Sequence, residues 1–372
     1  METVTSSSDD PWIPSKPEFF RDNLAPKFSR LASFLTTPGC WGSSMILRII
    51  SPMNQPGNYD FYATKTREYA LRAFYAAALF PVAGVGLLLG FHGLYIRLIG
   101  QLFQQKAFSY AQSQAKEKTF NGSATILTWN ICGMAGGLSR PFGGMVEWSK
   151  RIDGITDKVL KTDADVVCLQ EVLDAELDIQ LRDKFKEKYK HIYYLIGGSS
   201  YRLSSGLFIA SKFPIGNFTF TPFSTQGTGQ FKMHYKGFVS GVFQGNGKEL
   251  SFVATHTCAG SPEASAEIRQ KQVQQMIDST KKTTIYVGDF NVNQLGKEWA
   301  SSPLRTLKRD TNFKEATATD LYKCQMFDND LNIPLDEKLD DVFSNKNIQL
   351  KTLLVNADKL SDHHPILSTV TV

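Results

Sequence analysis

The chain has 372 residues, 42% of them hydrophobic, which is enough for one large packed domain and excludes an intrinsically disordered protein. Its formal charge of +5 is unevenly spread: residues 1–119 carry 12 Lys/Arg against 8 Asp/Glu (+4), and residues 120–372 carry 29 against 28 (+1). A nearly neutral main region weighs against a protein that lives on duplex nucleic acid, where phosphate neutralisation supplies most of the affinity. The five cysteines are odd in number, widely spaced and form no CxxC pair, so they read as free thiols of a reducing, cytosolic compartment.

Along the chain, the first 60 residues hold turn-forming stretches such as Asp9-Asp-Pro-Trp-Ile-Pro and Ser51-Pro-Met-Asn-Gln-Pro-Gly. Ala73–Ile96 is different. It is apolar across its length apart from His92, is flanked by Arg67, Arg72 and Arg97, and has Tyr75 and Tyr95 near its ends. About 20 apolar residues cross a hydrocarbon core, so this segment is expected to be a membrane-inserted helix. The competing reading is a buried helical hairpin broken at Pro81. Residues 1–119 are therefore taken as a membrane-associated region, and Phe103–Lys118 as a helical linker.

From Ala124 the texture changes. Strands are predicted at Ala124–Ile131, Ala164–Gln170, His191–Ile196, Ser205–Ile209, Gly237–Phe243, Leu250–Thr255, Thr284–Val287, Asp341–Phe343 and Pro365–Val370. Helices are predicted at Ser149–Leu160, Leu173–Tyr189 and Glu263–Thr280. Helix–strand alternation followed by a strand-rich middle points to two packed sheets with helices outside.

The chemistry-bearing side chains fall just beyond predicted strands. Asn130 follows Ile126–Trp129, Glu171 follows Val166–Leu169, His256 follows Phe252–Thr255, Asp289 and Asn291 follow Thr284–Val287, and Asp362 and His363 precede Ile366–Val370. Each alone is an ordinary cap or turn residue; together they form a set of strand-end loops on a rigid scaffold, where function concentrates. Oxygen donors such as Glu171 and Asn130 suit a hard cation. A histidine beside a carboxylate makes a base poised near neutral pH. Asn291 and His256 can hold phosphate oxygens as charge develops on them.

In order, Thr128-Trp-Asn-Ile, Cys168-Leu-Gln-Glu-Val, Val287-Gly-Asp-Phe-Asn-Val, Leu339-Asp-Asp-Val-Phe and Ser361-Asp-His-His-Pro-Ile resemble the five signature motifs of the endonuclease/exonuclease/phosphatase superfamily. The resemblance spans residues 120–372. It implies an α/β fold, a four-layer αββα sandwich of two packed mixed β-sheets flanked by helices, here preceded by an N-terminal hydrophobic helical segment. It also implies roles: Glu171, Asn130 and Asp362 at a metal, Mg²⁺ or Mn²⁺; Asp289 and Asn291 at the reacting phosphate; Asp340 beside the general base His363. The family usually has Tyr after the motif aspartate, where this chain has Asp341; the flanking Leu339 and Phe343 favour Asp340 as the catalytic one.

Between the motifs, Ser205-Gly-Leu-Phe-Ile-Ala-Ser-Lys-Phe-Pro-Ile, Lys236-Gly-Phe, Thr255-His-Thr-Cys-Ala-Gly and Glu267-Ile-Arg-Gln-Lys-Gln resemble the membrane-bound neutral sphingomyelinase branch. Where that branch carries an aspartate five residues before the lysine, this chain has Phe231. This likeness implies a membrane phospholipid substrate bound with the help of Lys236, Asn291 and His256, and hydrolysis of sphingomyelin to ceramide and phosphocholine at a bilayer. No nucleic-acid partner is expected, and the sequence identifies no protein partner. The alternatives are a phosphoinositide phosphatase, whose Trp-Cys-Asp-Arg sequence is absent, a metal-dependent nuclease, and a membrane-binding module without activity.

Overall fold

The computed structural model describes residues 107–372 apart from 135–144, 198–203, 228–233, 261, 281, 314–336 and 347, together with scattered helical positions between 27 and 99. In chain order the strands are β1 (Ser109–Gln112), β2 (Ser123–Asn130), β3 (Val166–Gln170), β4 (His191–Tyr194), β5 (Phe208–Ser211), β6 (Gly216–Pro222), β7 (Gly237–Gly245), β8 (Lys248–His256), β9 (Thr284–Asp289), β10 (Lys308–Arg309), β11 (Asp340–Ser344), β12 (Gln349–Leu354) and β13 (Ile366–Thr371). The helices are α1 (Ile152–Thr162), α2 (Ala175–Phe185) and α3 (Pro262–Asp278).

Two mixed sheets result. The first has the order β1-β4-β5-β3-β2-β13-β12, with β2 and β3 parallel; the second has the order β10-β11-β9-β8-β7-β6, with β8 and β9 parallel. Each parallel pair is the product of a crossover through a helix, α1 between β2 and β3 and α3 between β8 and β9. Fully buried runs such as Val166–Gln170 and Thr284–Asp289 are the ones covered on both faces.

Three apolar clusters account for the layering. Ile126, Val166, Ile209, Val239, Phe252, Ala254, Val287 and Val342 fill the space between the sheets. Leu127, Val167, Leu169, Ile155, Val159, Leu177 and Leu181 join the other face of the first sheet to α1 and α2. Val253, Tyr286 and Phe343 pack with Val273 and Met276 of α3 on the far side of the second. The layers thus run helix, sheet, sheet, helix, as expected.

Two expectations are corrected. Within the helical linker expected at Phe103–Lys118, of which 103–106 lie outside the described residues, Ser109–Gln112 is instead an edge strand in antiparallel register with His191–Tyr194. It is fixed further by Tyr110 Oη at 2.8 Å and Glu117 Oε2 at 3.0 Å from the two ring nitrogens of His191. For the same reason the boundary expected at residue 120 falls inside the fold, because β1 is part of the first sheet. Among the described residues no helix is long and apolar enough to cross a membrane. A third of Ala73–Ile96 lies outside the described residues; the run 84–93 is helical.

Candidate active site

The second sheet places three functional groups by register alone. Asp289 at the end of β9 pairs with His256 on β8 and with Asp340 on β11. Residues directly opposite one another in neighbouring strands point to the same face, so His256, Asp289 and Asp340 form a row. The first sheet contributes from the neighbouring layer. Asn130 ends β2 opposite Gln170, Glu171 follows that glutamine, and Asp362 and His363 lie just before β13.

The two rows meet. His363 Nδ1 lies 2.7 Å from Asp340 Oδ2, and its Nε2 lies 3.9 Å from Asp289 Oδ2. Asn130 Nδ2 donates to Glu171 Oε1 at 3.1 Å and to Asp289 Oδ2 at 3.0 Å. Its Oδ1 accepts from the Cys132 amide at 3.0 Å. In this orientation Asn130 braces two carboxylates, and the ligand role expected for it requires the amide to turn over. Asn291 takes a left-handed conformation (φ 50°), donates its amide N–H to Asp289 Oδ1 at 2.8 Å, and directs Nδ2 to the Thr257 carbonyl at 3.4 Å. That same carbonyl receives the Lys236 ammonium at 3.0 Å.

Geometry separates the neighbouring candidates. Asp340 and Asp341 are successive strand residues, so their side chains leave opposite faces. Asp340 meets His363, whereas Asp341 Oδ2 pairs with Lys338 at 3.2 Å and lies 3.9 Å from Arg309. His364 faces away from the dyad, and its Nδ1 accepts the Ala357 amide at 3.0 Å.

The electrostatics are those of a site built around anion chemistry. Burial alone would lower His363, but the charge and hydrogen bond of Asp340, with Asp289 and Asp362 behind it, raise its pKa well above the usual imidazole range. Burial would raise Asp289, but His256, His363 and Asn130 hold it below the ordinary carboxylate value. Burial lowers Lys236 to about 8 against the pull of Glu171 and Asp289. His256, buried and beside Lys236, is pushed well below its usual range, and neither ring nitrogen has a hydrogen-bond partner among the described residues. Polar atoms buried without a partner are uncommon, and here they border an ammonium and a carboxylate.

Glu171, in a left-handed turn (φ 59°), is raised by burial and by the nearby negative charge of Asp362. Two carboxylates that oppose each other's ionisation in an oxygen-rich setting fit a hard divalent cation. Ligand atoms of Asp289, Asp340 and His363 also lie within 4.8 Å of one another and are able to hold a metal ion. Every expected site residue is thus at or beside one locus. Sequence reasoning passed over Trp129 and Ser361, which tie the two rows. The Trp129 indole N–H donates to the His363 carbonyl at 2.8 Å, and Ser361 Oγ donates to the Asn130 carbonyl at 2.6 Å. Their adjacency to Asn130 and His363 in the motifs was the available signal.

Comparison with known proteins agrees with this fold. No curated protein matches the chain by sequence. Among solved structures, SmcL superposes with a TM-score of 0.55 at 22% identity, covering 68% of this chain and 100% of that one. Sphingomyelinase C from Streptomyces griseocarneus gives 0.52 at 20%, covering 66% and 99%. A beta toxin variant from Staphylococcus aureus with bound magnesium ions gives 0.50 at 22%, covering 66% and 99%. At such identities the likeness establishes the fold. The Endonuclease/Exonuclease/phosphatase family profile matches residues 127–363, from inside β2 to the histidine of the dyad, and on that match the chain belongs to the endonuclease/exonuclease/phosphatase family.

Proposed function

We propose that this protein is a Mg²⁺-dependent phosphodiesterase that hydrolyses sphingomyelin, or a related choline phospholipid, by attack of a water molecule on phosphorus. The observation that carries the reading is the buried His363–Asp340 dyad at 2.7 Å, facing Asp289 and backed by Lys236 and His256. A nuclease reading has less support, because residues 120–372 carry almost no net charge.

In this reading Asp340 holds the imidazole so that Nε2 faces the reaction centre, and Nε2 takes a proton from the attacking water. The water oxygen forms a bond to phosphorus while the bond from phosphorus to the ceramide oxygen breaks, leaving phosphocholine. Asp289, in contact with both His363 and Asn130, stands on the path by which the departing alkoxide regains a proton. Lys236, His256 and Asn291 gather around the phosphoryl oxygens as charge builds on them. Glu171 and Asp362, with Asn130 between the rows, would hold the cation, whose charge when bound neutralises the phosphoryl oxygens. The likeness to structures described as sphingomyelinases and the intermotif segments around Ser205, Lys236 and Glu267 support the choice of lipid. The apolar segment 73–96 supports placement at a membrane, with the catalytic region on its reducing side.

The test is to incubate the purified full chain with Mg²⁺ and sphingomyelin, phosphatidylinositol phosphates, lysophospholipid or plasmid DNA. Phosphocholine release from sphingomyelin, abolished by EDTA and by His363→Ala, is expected. Phosphate release from phosphoinositides, nicking of DNA, or full activity of the His363→Ala variant would overturn the reading.

A further inference from the structure

Arg151 stands at the N-terminal end of α1, is 3% exposed, and lies outside every motif. A guanidinium has five N–H donors in a fixed fork. Here four contacts go to main-chain carbonyls on three separate segments. Nε donates to Val146 at 2.8 Å, Nη1 donates to Ile131 at 2.9 Å and to Leu360 at 2.5 Å, and Nη2 donates to Cys132 at 2.6 Å.

Two of those segments are the loops that carry the chemistry. Ile131 and Cys132 directly follow Asn130, and Leu360 precedes Ser361-Asp-His. The backbone is held at both Cys132 and Gly133. The Cys132 amide donates to Asn130 Oδ1 at 3.0 Å, and the Gly133 amide donates to the Glu171 carbonyl at 3.0 Å. Cys132 itself is in the left-handed region (φ 49°), a strained conformation that persists only when its surroundings impose it. A side chain added at Gly133 would come within 2.5 Å of the Glu171 carbonyl, so the loop is packed against Glu171 with no room to shift.

From this convergence we propose that Arg151 is a positioning residue: it clamps the Asn130 loop to the Asp362–His363 loop and so fixes the distance between the Glu171 side of the site and the base. Helix capping does not explain the arrangement, since an N-cap side chain accepts hydrogen bonds and a guanidinium has no acceptor atom. Simple core filling does not explain it either, since a buried guanidinium is costly unless its donors are matched, and three of the four matching carbonyls belong to the two catalytic loops. Lysine cannot substitute. An ammonium is a compact point charge with three donors and lacks the planar fork that spans separate carbonyls.

The inference rests on the phosphodiesterase reading, and two readouts separate the fates of the two. Arg151→Lys, Arg151→Met and Val159→Ala are compared with the unaltered full chain. Val159 is a buried residue of the same helix that packs in the apolar cluster, so its truncation supplies a matched loss of stability. With sphingomyelin as substrate, Arg151→Lys is expected to lower kcat by about 10- to 100-fold, the effect of moving a reacting group by roughly 1 Å, with KM changed little. Hydrogen exchange of amides 131–133 and 361–363 is expected to quicken in both Arg151 variants while the amides of β3 and β9 stay protected. Val159→Ala is expected to leave kcat and loop exchange near the unaltered values. Unchanged kcat in Arg151→Lys, unchanged loop exchange, or an equal kcat loss in Val159→Ala at equal melting temperature would each overturn the clamp. If the unaltered chain does not turn over sphingomyelin, the functional reading fails, and loop exchange still decides the role of Arg151.

Discussion

At the scale of single residues, one peptide bond separates the carboxylate proposed to orient the base from a structural one. Asp340 and Asp341 leave β11 on opposite faces, one toward His363 and the other toward the buried Lys338, which is 2% exposed. Replacing each with Asn should therefore break different things. In Asp340→Asn the imidazole loses its orienting partner, and kcat is expected to fall by about 10²-fold or more. The pH profile gives a second readout with a fixed sign. Burial lowers His363, and Asp340 is the principal group raising it. Removing that charge lowers the pKa of the base, so residual activity should extend to lower pH than in the unaltered chain. In Asp341→Asn the chemistry is expected to persist with the same pH profile, while the buried Lys338 loses its countercharge, at a cost of about 3 kcal/mol in stability. A catalytic collapse in Asp341→Asn would reverse the assignment. The sequence favoured Asp340 through its flanking Leu339 and Phe343, and the alternation of a strand supplies the physical reason. The orientation of the Asn130 amide was not legible, because it depends on which of two carboxylates and one amide N–H surround it in three dimensions.

At the scale of elements, the catalytic row depends on the parallel pairing of β8 and β9, and Gly288 makes that pairing possible. It has φ +142°, and a Cβ there would stand 2.1 Å from the Thr255 carbonyl. Gly288→Ala should force β9 away from β8 just where His256 and Asp289 lie side by side. A loss of about 3 kcal/mol or more is expected, together with loss of activity, read by thermal unfolding and turnover. Gly247→Ala is the control. It also has positive φ, at +71°, but no atom lies within 4 Å of the added methyl, so a cost of about 1 kcal/mol with full activity is expected. Equal effects at the two positions would show that backbone strain alone matters. The elements that were legible in the sequence are those with decisive burial: β2, β3, β8 and β9 are apolar runs, and all four carry or precede site residues. β12 was missed because it is an edge strand with one side exposed, Gln349–Leu354 alternating between exposed and partly buried positions. β6, Gly216–Pro222, has no fully buried residue to mark it. β1 was misread as a helix because its polar Ser-Tyr-Ala-Gln carries no strand pattern of its own; its backbone pairing with β4 and the clasp of Tyr110 and Glu117 on His191 put it in the sheet. Such strands are made by their neighbours, which a local sequence does not contain.

At the scale of the whole molecule, the question is how the region before residue 107 serves the catalytic layers. Residues 1–119 hold most of the net positive charge, and segment 73–96 is apolar apart from His92. In its described helical run, Val85, Leu88 and Phe91 are exposed, at 58%, 63% and 69%. Arg30 reaches Glu176 at the start of α2 with a 2.7 Å ion pair, so this region touches the domain close to the Glu171 loop. Exposed apolar side chains of this size gain roughly 25 cal/mol per Å² when removed from water, and none of them belongs to the apolar cluster between the sheets. We therefore expect the region to associate with a bilayer, which raises the effective concentration of a lipid substrate that cannot diffuse to a distant enzyme. The full chain and a fragment spanning 101–372, which keeps β1 and its partners in the first sheet, should separate on fractionation of membranes. The full chain is expected in the pellet after a high-salt wash, which screens headgroup attraction but leaves apolar burial intact, and the fragment in the supernatant. Carbonate extraction then distinguishes a segment inserted into the hydrocarbon from one lying in the interface. If the full chain stays in the supernatant, or if the fragment aggregates until 73–96 is restored, the apolar segment covers the domain itself and the membrane reading is lost.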